Sequence, residues 1–448
     1  MKTAGLCWIA ALAAPLLAAG GAAFTPGQIL TLEQAYDRTL ATDQSIRIAW
    51  LELRKANLLP WSALTRLGPQ LTGNVVHDNN YSRSFETIVD PTGPVIAAGN
   101  STTSNITLQQ PLFDLTVFPA YRVGSLTARA TRLQYVFTVR QTLFGVASAY
   151  YEVLKQESVV AVNQETFDLA GQQLHLAQER HDVGDAARSD VLRAQATLEG
   201  ARQTLITAQN ALDVDRNTLS NILNLGGDTS FHLAEPPDAP TVVVPLETAL
   251  ALAFSRREDY KASAIAVEED VQRRKEILAE YAPKIVAQTS ADSGRATQTE
   301  GGTGSTNTSS WDANVAVQIP FLTGGQREID LRTAGHQINE TRLNYETAGK
   351  NLQEEVKNAW LEVRTLSETL KAARAQVEAS SQTYIDVENQ YKEGSATSLD
   401  AQSALIDLNN SRTTLSTETS DYQVALRDLQ RSMALFEETR VENAMAAK

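Results

Sequence analysis

The fold turns on one stretch, Trp311-Asp312-Ala313-Asn314-Val315-Ala316-Val317-Gln318-Ile319. Ala313, Val315, Val317 and Ile319 alternate with Asn314, Ala316 and Gln318. Period-2 alternation predicts a strand with one apolar and one polar face. Three other runs share the pattern. Residues 70–79 place Leu71, Gly73, Val75 and His77 on one face, residues 105–110 place Ile106 and Leu108, and residues 284–290 form the fourth run. Runs of about ten residues can cross an outer membrane when tilted. Polar loops separate them, at 80–100 and at 294–310, the second containing Gly301-Gly302-Thr303-Gly304-Ser305. In lipid an unpaired backbone group costs several kcal/mol, so a membrane sheet cannot keep an open edge. Natural barrels begin at about eight strands. If these runs lie in a membrane, several copies of the chain must join to close a barrel. The alternative is a pair of soluble hairpins capping a coiled coil.

Outward from the strands, the sequence repeats at a spacing of roughly 210 residues. Leu32-Glu33-Gln34-Ala35 matches Leu246-Glu247-Thr248-Ala249, and the match runs without a gap to Pro69-Gln70-Leu71 and Pro283-Lys284-Ile285. Gln110-Pro111-Leu112-Phe113 matches Ile319-Pro320-Phe321-Leu322, and Ala149-Tyr150-Tyr151-Glu152-Val153 matches Ala359-Trp360-Leu361-Glu362-Val363. Gly184, Asp190, Ala194, Leu198 and Arg202 match Gly394, Asp400, Ala404, Leu408 and Arg412. Each half opens with a helical segment of about 35 residues, followed by two strands around a loop and a long helical hairpin. Pro236, Pro237 and Pro240 mark a linker between the halves.

The hairpin segments carry coiled-coil spacing. Leu352, Val356, Ala359, Val363, Leu366, Leu370, Ala373 and Val377 step by four and three in turn, as do Val136, Val139, Leu143, Val146, Tyr150 and Val153. The return segments offer Val191, Ala194, Leu198, Ala201, Leu205, Ala208 and Leu212, then Ala404, Leu408, Ser411, Leu415 and Tyr422. Such a period keeps one narrow seam facing a partner helix. From Phe118 to Asp182 the only proline is Pro119 at the very start. The spacing therefore predicts about 65 residues of helix, or about 100 Å.

Both helical turns carry the same motif. The second reads Tyr391-Lys392-Glu393-Gly394-Ser395-Ala396-Thr397-Ser398-Leu399-Asp400, and the first reads His181-Asp182-Val183-Gly184-Asp185-Ala186-Ala187-Arg188-Ser189-Asp190-Val191-Leu192. With Ala194-Gln195 through Ala201-Arg202 downstream, they resemble the turns of the TolC-like outer-membrane efflux proteins (outer membrane factors). The resemblance covers essentially the whole chain after its N-terminal segment. It implies a fold that is mainly α with a membrane β-barrel: a trimeric α/β-barrel duct with four strands and long antiparallel coiled-coil hairpins per protomer, built from a tandem repeat. It further implies a homotrimer in outer-membrane lipid, a tunnel through the periplasm, and an inner-membrane pump that docks with a periplasmic adaptor at the hairpin tips.

The resemblance assigns adaptor docking to Gly184, Asp185, Ala186, Ala187, Arg188 and Ser189, and to Gly394, Ser395, Ala396, Thr397 and Ser398. It places Asp400, Tyr391, Asp190 and Ser403 at the periplasmic entrance, where symmetry would gather copies of Asp400 into an acidic ring. Read from the residues alone, glycine permits positive φ at a helix end. Ser189 or Ser398, with the following aspartate, can cap the returning helix. On that reading Asp190 and Asp400 are both caps; Asp190 is read so here, and Asp400 as a ring member. The sequence departs from the family pattern in two places. Ser403 stands where a second acidic residue often follows, and Ala396 stands where a basic residue is common. Tyr391 is expected to reach the first hairpin near Asp190.

The remaining composition excludes other classes. The formal charge is −14 and the sequence pI is about 5.0, which disfavours nucleic acid as a partner. The histidines, His77, His175, His181, His232 and His336, show no metal-ligand spacing, and the Gly301–Ser305 run lacks the ending of a phosphate loop. No cofactor and no catalytic site are expected, so a partner must supply the energy for transport. Lys2, the apolar run 6–19 and Gly21-Ala22-Ala23 read as a cleaved signal peptide, which contains Cys7, the chain's sole cysteine. The expected organisation is a signal peptide at 1–23, a first repeat at 24–225, a linker at 226–245, a second repeat at 246–434 and a C-terminal tail at 435–448. The competing function is a secreted coiled-coil structural or adhesion protein, which would need no detergent to stay in solution.

Overall fold

The structure, a computed structural model, describes residues 29–84, 95–235, 244–299 and 303–446. The expected signal peptide lies outside these residues, as do 85–94 and 300–302 of the two polar loops and Pro236, Pro237 and Pro240 of the linker. The described chain runs β1 (Ile29–Leu30), α1 (Leu32–Thr42), α2 (Gln44–Ala56), α3 (Leu59–Leu64), β2 (Gln70–Ser84), β3 (Val95–Phe113), α4 (Val117–Asp182) and α5 (Arg188–Ile222). It continues through β4 (His232–Leu233), α6 (Leu246–Arg256), α7 (Glu258–Ala279), β5 (Lys284–Thr299), β6 (Thr303–Gln318), α8 (Gln326–Glu393), α9 (Ser398–Ser432) and α10 (Glu438–Ala446).

The chain divides into two compact units. Among the described residues, one comprises 29–49, 136–235, 244–257 and 352–446, and the other 50–84, 95–135, 258–299 and 303–351.

In the first unit the heptad positions form the core. Val139, Leu143, Val146, Tyr150 and Val153 of α4 are fully buried, as are Val356 and Val363 of α8. Alanine lets the return helices approach closely: Ala194, Ala208 and Ala404 are buried beside Leu205, Leu212 and Leu408. The opening helical segment of each half, expected to be continuous, is broken. Asp43 is extended (φ −64, ψ 134) and ends α1, while its Oδ1 accepts the Ile46 N–H at 3.0 Å and caps α2. Arg257 (φ −57, ψ 122) makes the same break between α6 and α7.

Matching aromatic positions of the two halves strap the chain down. The Tyr150 hydroxyl donates to the carbonyls of Leu30 (2.8 Å) and Ala234 (2.5 Å), where β1 and β4 pair in parallel. Trp360 Nε1 donates to Val244 O at 2.9 Å. The residues read as a tail carry α10, preceded by Phe436, which is buried edge-on against Tyr36 and Phe144.

Arg257 is buried and joins Glu355 Oε2 at 2.7 Å, while Arg431 joins Glu355 Oε1 at 2.8 Å. Burial pushes the Glu355 pKa up, but the hydrogen bonds and charges of the two guanidinium groups outweigh it and hold the carboxyl below its usual range. At the corresponding positions of the first half stand Asp43, Gly145 and Asn221. There the triad is replaced by an open cavity of about 490 Å³, lined by these three with Gln44, Thr142 and Asn224.

In the second unit, β2, β3, β5 and β6 form an antiparallel sheet in that order. The strands are longer than the alternation alone predicts, because polar Ser, Thr and Asn residues continue the pairing, to Ser84↔Val95 and to Thr299↔Thr303. The register resolves two faces. Gly73, Ile106, Ala291 and Trp311 lie in one row, and Leu71, Leu108, Thr289 and Ala313 in the next. On the other face lie Thr72, Thr107, Ser290 and Asp312, then Asn74, Asn105, Asp292 and Ser310. Nothing among the described residues covers the apolar face: Leu71 is 70% exposed, Val75 71%, Trp311 78% and Val315 65%. Beneath the sheet α3 lies against α4 at Gly124, where an added Cβ would fall 2.7 Å from Pro60 N.

Candidate functional site

The candidate site is the pair of hairpin tips. In the first, Gly184 adopts φ +85, Gly184 N donates to His181 O, and Asp185 N donates to Arg180 O at 2.7 Å. In the second, Gly394 adopts φ +81, Gly394 N donates to Tyr391 O, and Ser395 N donates to Gln390 O at 2.9 Å. Both are glycine-terminated helix ends that satisfy the last carbonyls, so the two motif copies fold alike.

The returning helices start differently, and the caps lie one or two residues earlier than expected. Thr397 caps α9: it is extended (φ −87, ψ 162), and its Oγ1 accepts from Asp400 N at 3.3 Å. Asp400 Oδ2 in turn accepts from Thr397 N (2.9 Å) and Oγ1 (2.6 Å), a capping box. These bonds hold the exposed Asp400 carboxyl below its usual range. Ser398 is therefore inside the helix. In the first tip the matching cap is Ala187, which offers no side-chain oxygen, and Ser189 is the second residue of α5.

Lacking a box partner, Asp190 reaches the other hairpin. Its Oδ1 accepts from Ser398 Oγ at 3.2 Å and from Arg193 Nη1 at 3.4 Å, and Arg193 Nη1 also lies 3.3 Å from Ser398 Oγ. A second cross-link runs through Arg180. Its Nη1 donates to Tyr391 O at 2.7 Å, and its guanidinium carbon stands 5.0 Å from the Tyr391 ring centre. Tyr391, expected to seek Asp190, is thus held chiefly by Arg180. Burial raises the Tyr391 hydroxyl pKa most; Arg180 opposes the rise and nearby Asp190 adds to it. Ser403 is exposed on α9, and its side chain forms no hydrogen bond among the described residues. Asp185, Arg188, Ser395 and Thr397 are exposed, and Ala186 and Ala396 half-buried.

Below the tips, Ala170, Tyr384, Ala404, Leu405 and Leu408 form an apolar cluster. Around it Thr166 donates to Asn409 at 3.0 Å, and Arg412 pairs with Glu165 at 2.7 Å. Sequence reasoning missed Arg180 and Arg193. Their counterparts in the second half are Gln390 and Ser403, so the repeat itself hid their charge. Among the described residues no group of three or more His, Cys, Asp or Glu could hold a metal ion, and no helix is long and apolar enough to cross a membrane.

The tip motif in two copies, on long hairpins that alternate with an amphipathic sheet, has relatives. The family model described as "Outer membrane efflux protein" matches residues 35–225 and 249–435. The chain belongs to the outer membrane efflux protein family. Its relatives in that family include the outer membrane efflux protein BepC of Brucella suis biovar 1 (strain 1330), 27% identical over 46% of this chain and 44% of BepC. The alkaline protease secretion protein AprF of Pseudomonas aeruginosa is 22% identical over 55% of this chain and 52% of AprF. The matches thus span about half the length of these two relatives. The crystal structure of the outer membrane protein VceC from Vibrio cholerae shares the fold, with a TM-score of 0.72 and 18% identity, covering 90% of this chain and 95% of that one. The family is one of outer-membrane channels of Gram-negative bacteria.

Proposed function

We propose that this efflux-family chain is one protomer of a homotrimeric exit duct in the outer membrane. The duct serves passive transport driven by an inner-membrane pump through a periplasmic adaptor. One observation carries the reading: the four-stranded sheet has one apolar and one polar face and leaves β2 and β6 as its edges. In lipid such edges must be paired, and a single chain cannot pair them by closing on itself. Three copies supply a closed barrel with the polar face, including Asp292 and Asp312, lining the lumen.

The chain divides in this account into two tandem repeats, 24–225 and 246–434, joined by the linker 226–245. The adaptor docks at 184–189 and 394–398, where Asp185, Arg188, Ser395 and Thr397 are exposed. Asp400 keeps Oδ1 clear of its capping box and so can still face the entrance, with Tyr391 and Asp190 beside it. BepC is named for efflux and AprF for protease secretion; small-molecule efflux is the cargo class proposed here.

A photo-crosslinking residue at Ala396 in living cells, read by mass spectrometry, tests the assignment of the tips. Capture of a periplasmic adaptor is expected, and its cognate pump then reports the cargo class. Capture of neighbouring copies alone, or of nothing, contradicts it.

A further inference from the structure

We propose that β6 of one chain pairs with β2 of a second copy in one defined register, with Val317 opposite Val75 of the partner subunit and Ile319 opposite Gly73 of the partner subunit. The inference rests on the duct reading above and specifies the seam through which that duct closes.

The template lies within the chain. The last strand of the first half, β3, pairs antiparallel with the first strand of the second half, β5, with Leu108 opposite Thr289 and Gln110 opposite Ala287. Each of these residues has a counterpart in the other half. The spacing that carries Gln110-Pro111 to Ile319-Pro320 carries Leu108 to Val317. The spacing that carries Pro283 back to Pro69 carries Thr289 to Val75 and Ala287 to Gly73. If one chain follows the next as the second half follows the first, β6 meets β2 as β3 meets β5. Val315 then faces His77 of the partner subunit, and Gln318 faces Asn74 of the partner subunit.

Two observations that did not enter this derivation agree with it. The first is the side-chain faces. Val315, Val317 and Ile319 fall opposite residues of the same apolar face that holds Leu71 and Val75, so the uncovered apolar rows run on across the seam. A slip of one residue would turn Asn74 and Thr72 into that face. The second is the pair Phe321 and Leu322, each 90% exposed just beyond the end of β6. Their counterparts Leu112 and Phe113 lie in β3, with Phe113 opposite Ile285. With the shift that β3 and β5 show between Pro111 and Phe113, the same template gives Leu322 that support, opposite Leu71 of the partner subunit.

Disulfide trapping in outer membranes tests the register, in a Cys7→Ser background that leaves no other cysteine in this chain. Directly opposed residues lie about 4.5–5.5 Å apart at Cα, within the span of a disulfide, whereas diagonal neighbours at about 7–8 Å lie beyond it. Opposed pairs alternate in hydrogen bonding, so two adjacent pairs are used: Val75→Cys with Val317→Cys, and Asn74→Cys with Gln318→Cys. At least one should give covalent dimers and trimers that reductant dissolves, about tenfold above the offset controls Gly73→Cys or His77→Cys with Val317→Cys. Preferential trapping of an offset pair overturns the register and leaves the trimeric duct standing. No trapping by any pair, with the chain monomeric on a native gel, overturns both.

Discussion

A single residue decides how each hairpin tip is wired. Thr397 gives α9 a capping box and keeps Asp400 on its own chain segment, whereas Ala187 leaves Asp190 free to bind Ser398 across the tips. Thr397→Ala removes two side-chain hydrogen bonds, and loss of such a cap costs about 1 kcal/mol, or about fivefold in local opening. Hydrogen exchange at the amides of Leu399, Asp400 and Ala401 should quicken by about that factor, with Ser189→Ala as the unchanged control. Equal rates in wild type and Thr397→Ala would refute the role of the box. The glycines of both turns were legible in the sequence because positive φ has a residue signature. The caps were misplaced by one or two positions, since Thr397, Ser398 and Ser189 are chemically alike and only backbone φ/ψ tells a cap from a first-turn residue. The cross-tip links of Arg180 and Arg193 were not legible, because no spacing rule relates residues on separate hairpins.

Among the elements, the long helices followed from their heptads: α4 was expected from Phe118 and begins at Val117. The breaks at Asp43 and Arg257 were not foreseen, since neither is a helix breaker by type. Asp43 leaves the helix to cap the next one, and Arg257 to reach Glu355. Glu355→Ala removes a carboxylate shared by two arginines, of which Arg431 keeps Asp428, and should destabilise the fold by about 1–3 kcal/mol. Its pH dependence has a definite sign. Because the carboxyl is held below its ordinary value of 4.5, its contribution is complete above that value and is lost as pH falls through the folded-state pKa. Thermal unfolding from pH 5 down to pH 3 should show a midpoint that falls more in wild type than in Glu355→Ala, with the difference between the two constant above pH 5. Parallel profiles would contradict this assignment. The first half, with Gly145 in place of Glu355, lacks the lock and should show no comparable loss on Asp43→Asn.

For the whole molecule, the sheet decides what the helices serve. A coiled coil alone fits a scaffold as well as a duct, but a sheet with an uncovered apolar face fits a lipid boundary. That face was legible from alternation, and the pairing order was not, because Ser, Thr and Asn in the outer strand segments carry no apolar period. Val317→Arg puts a charge on the apolar face, at a cost of about 2–4 kcal/mol if it lies near mid-membrane, and should lower the amount of chain recovered in outer membranes. Asn314→Arg, on the polar face, should be recovered at wild-type levels. Similar recovery of both would reverse or abolish the assigned faces.

Whether this chain builds a pore is decided by ion conductance of the purified protein in a planar bilayer. Discrete conductance steps are expected, larger in Asp400→Ala and less blocked there by multivalent cations, because a carboxylate ring at the entrance has been removed. Detergent-purified protein that inserts yet passes no current, as wild type and as Asp400→Ala alike, would contradict the pore.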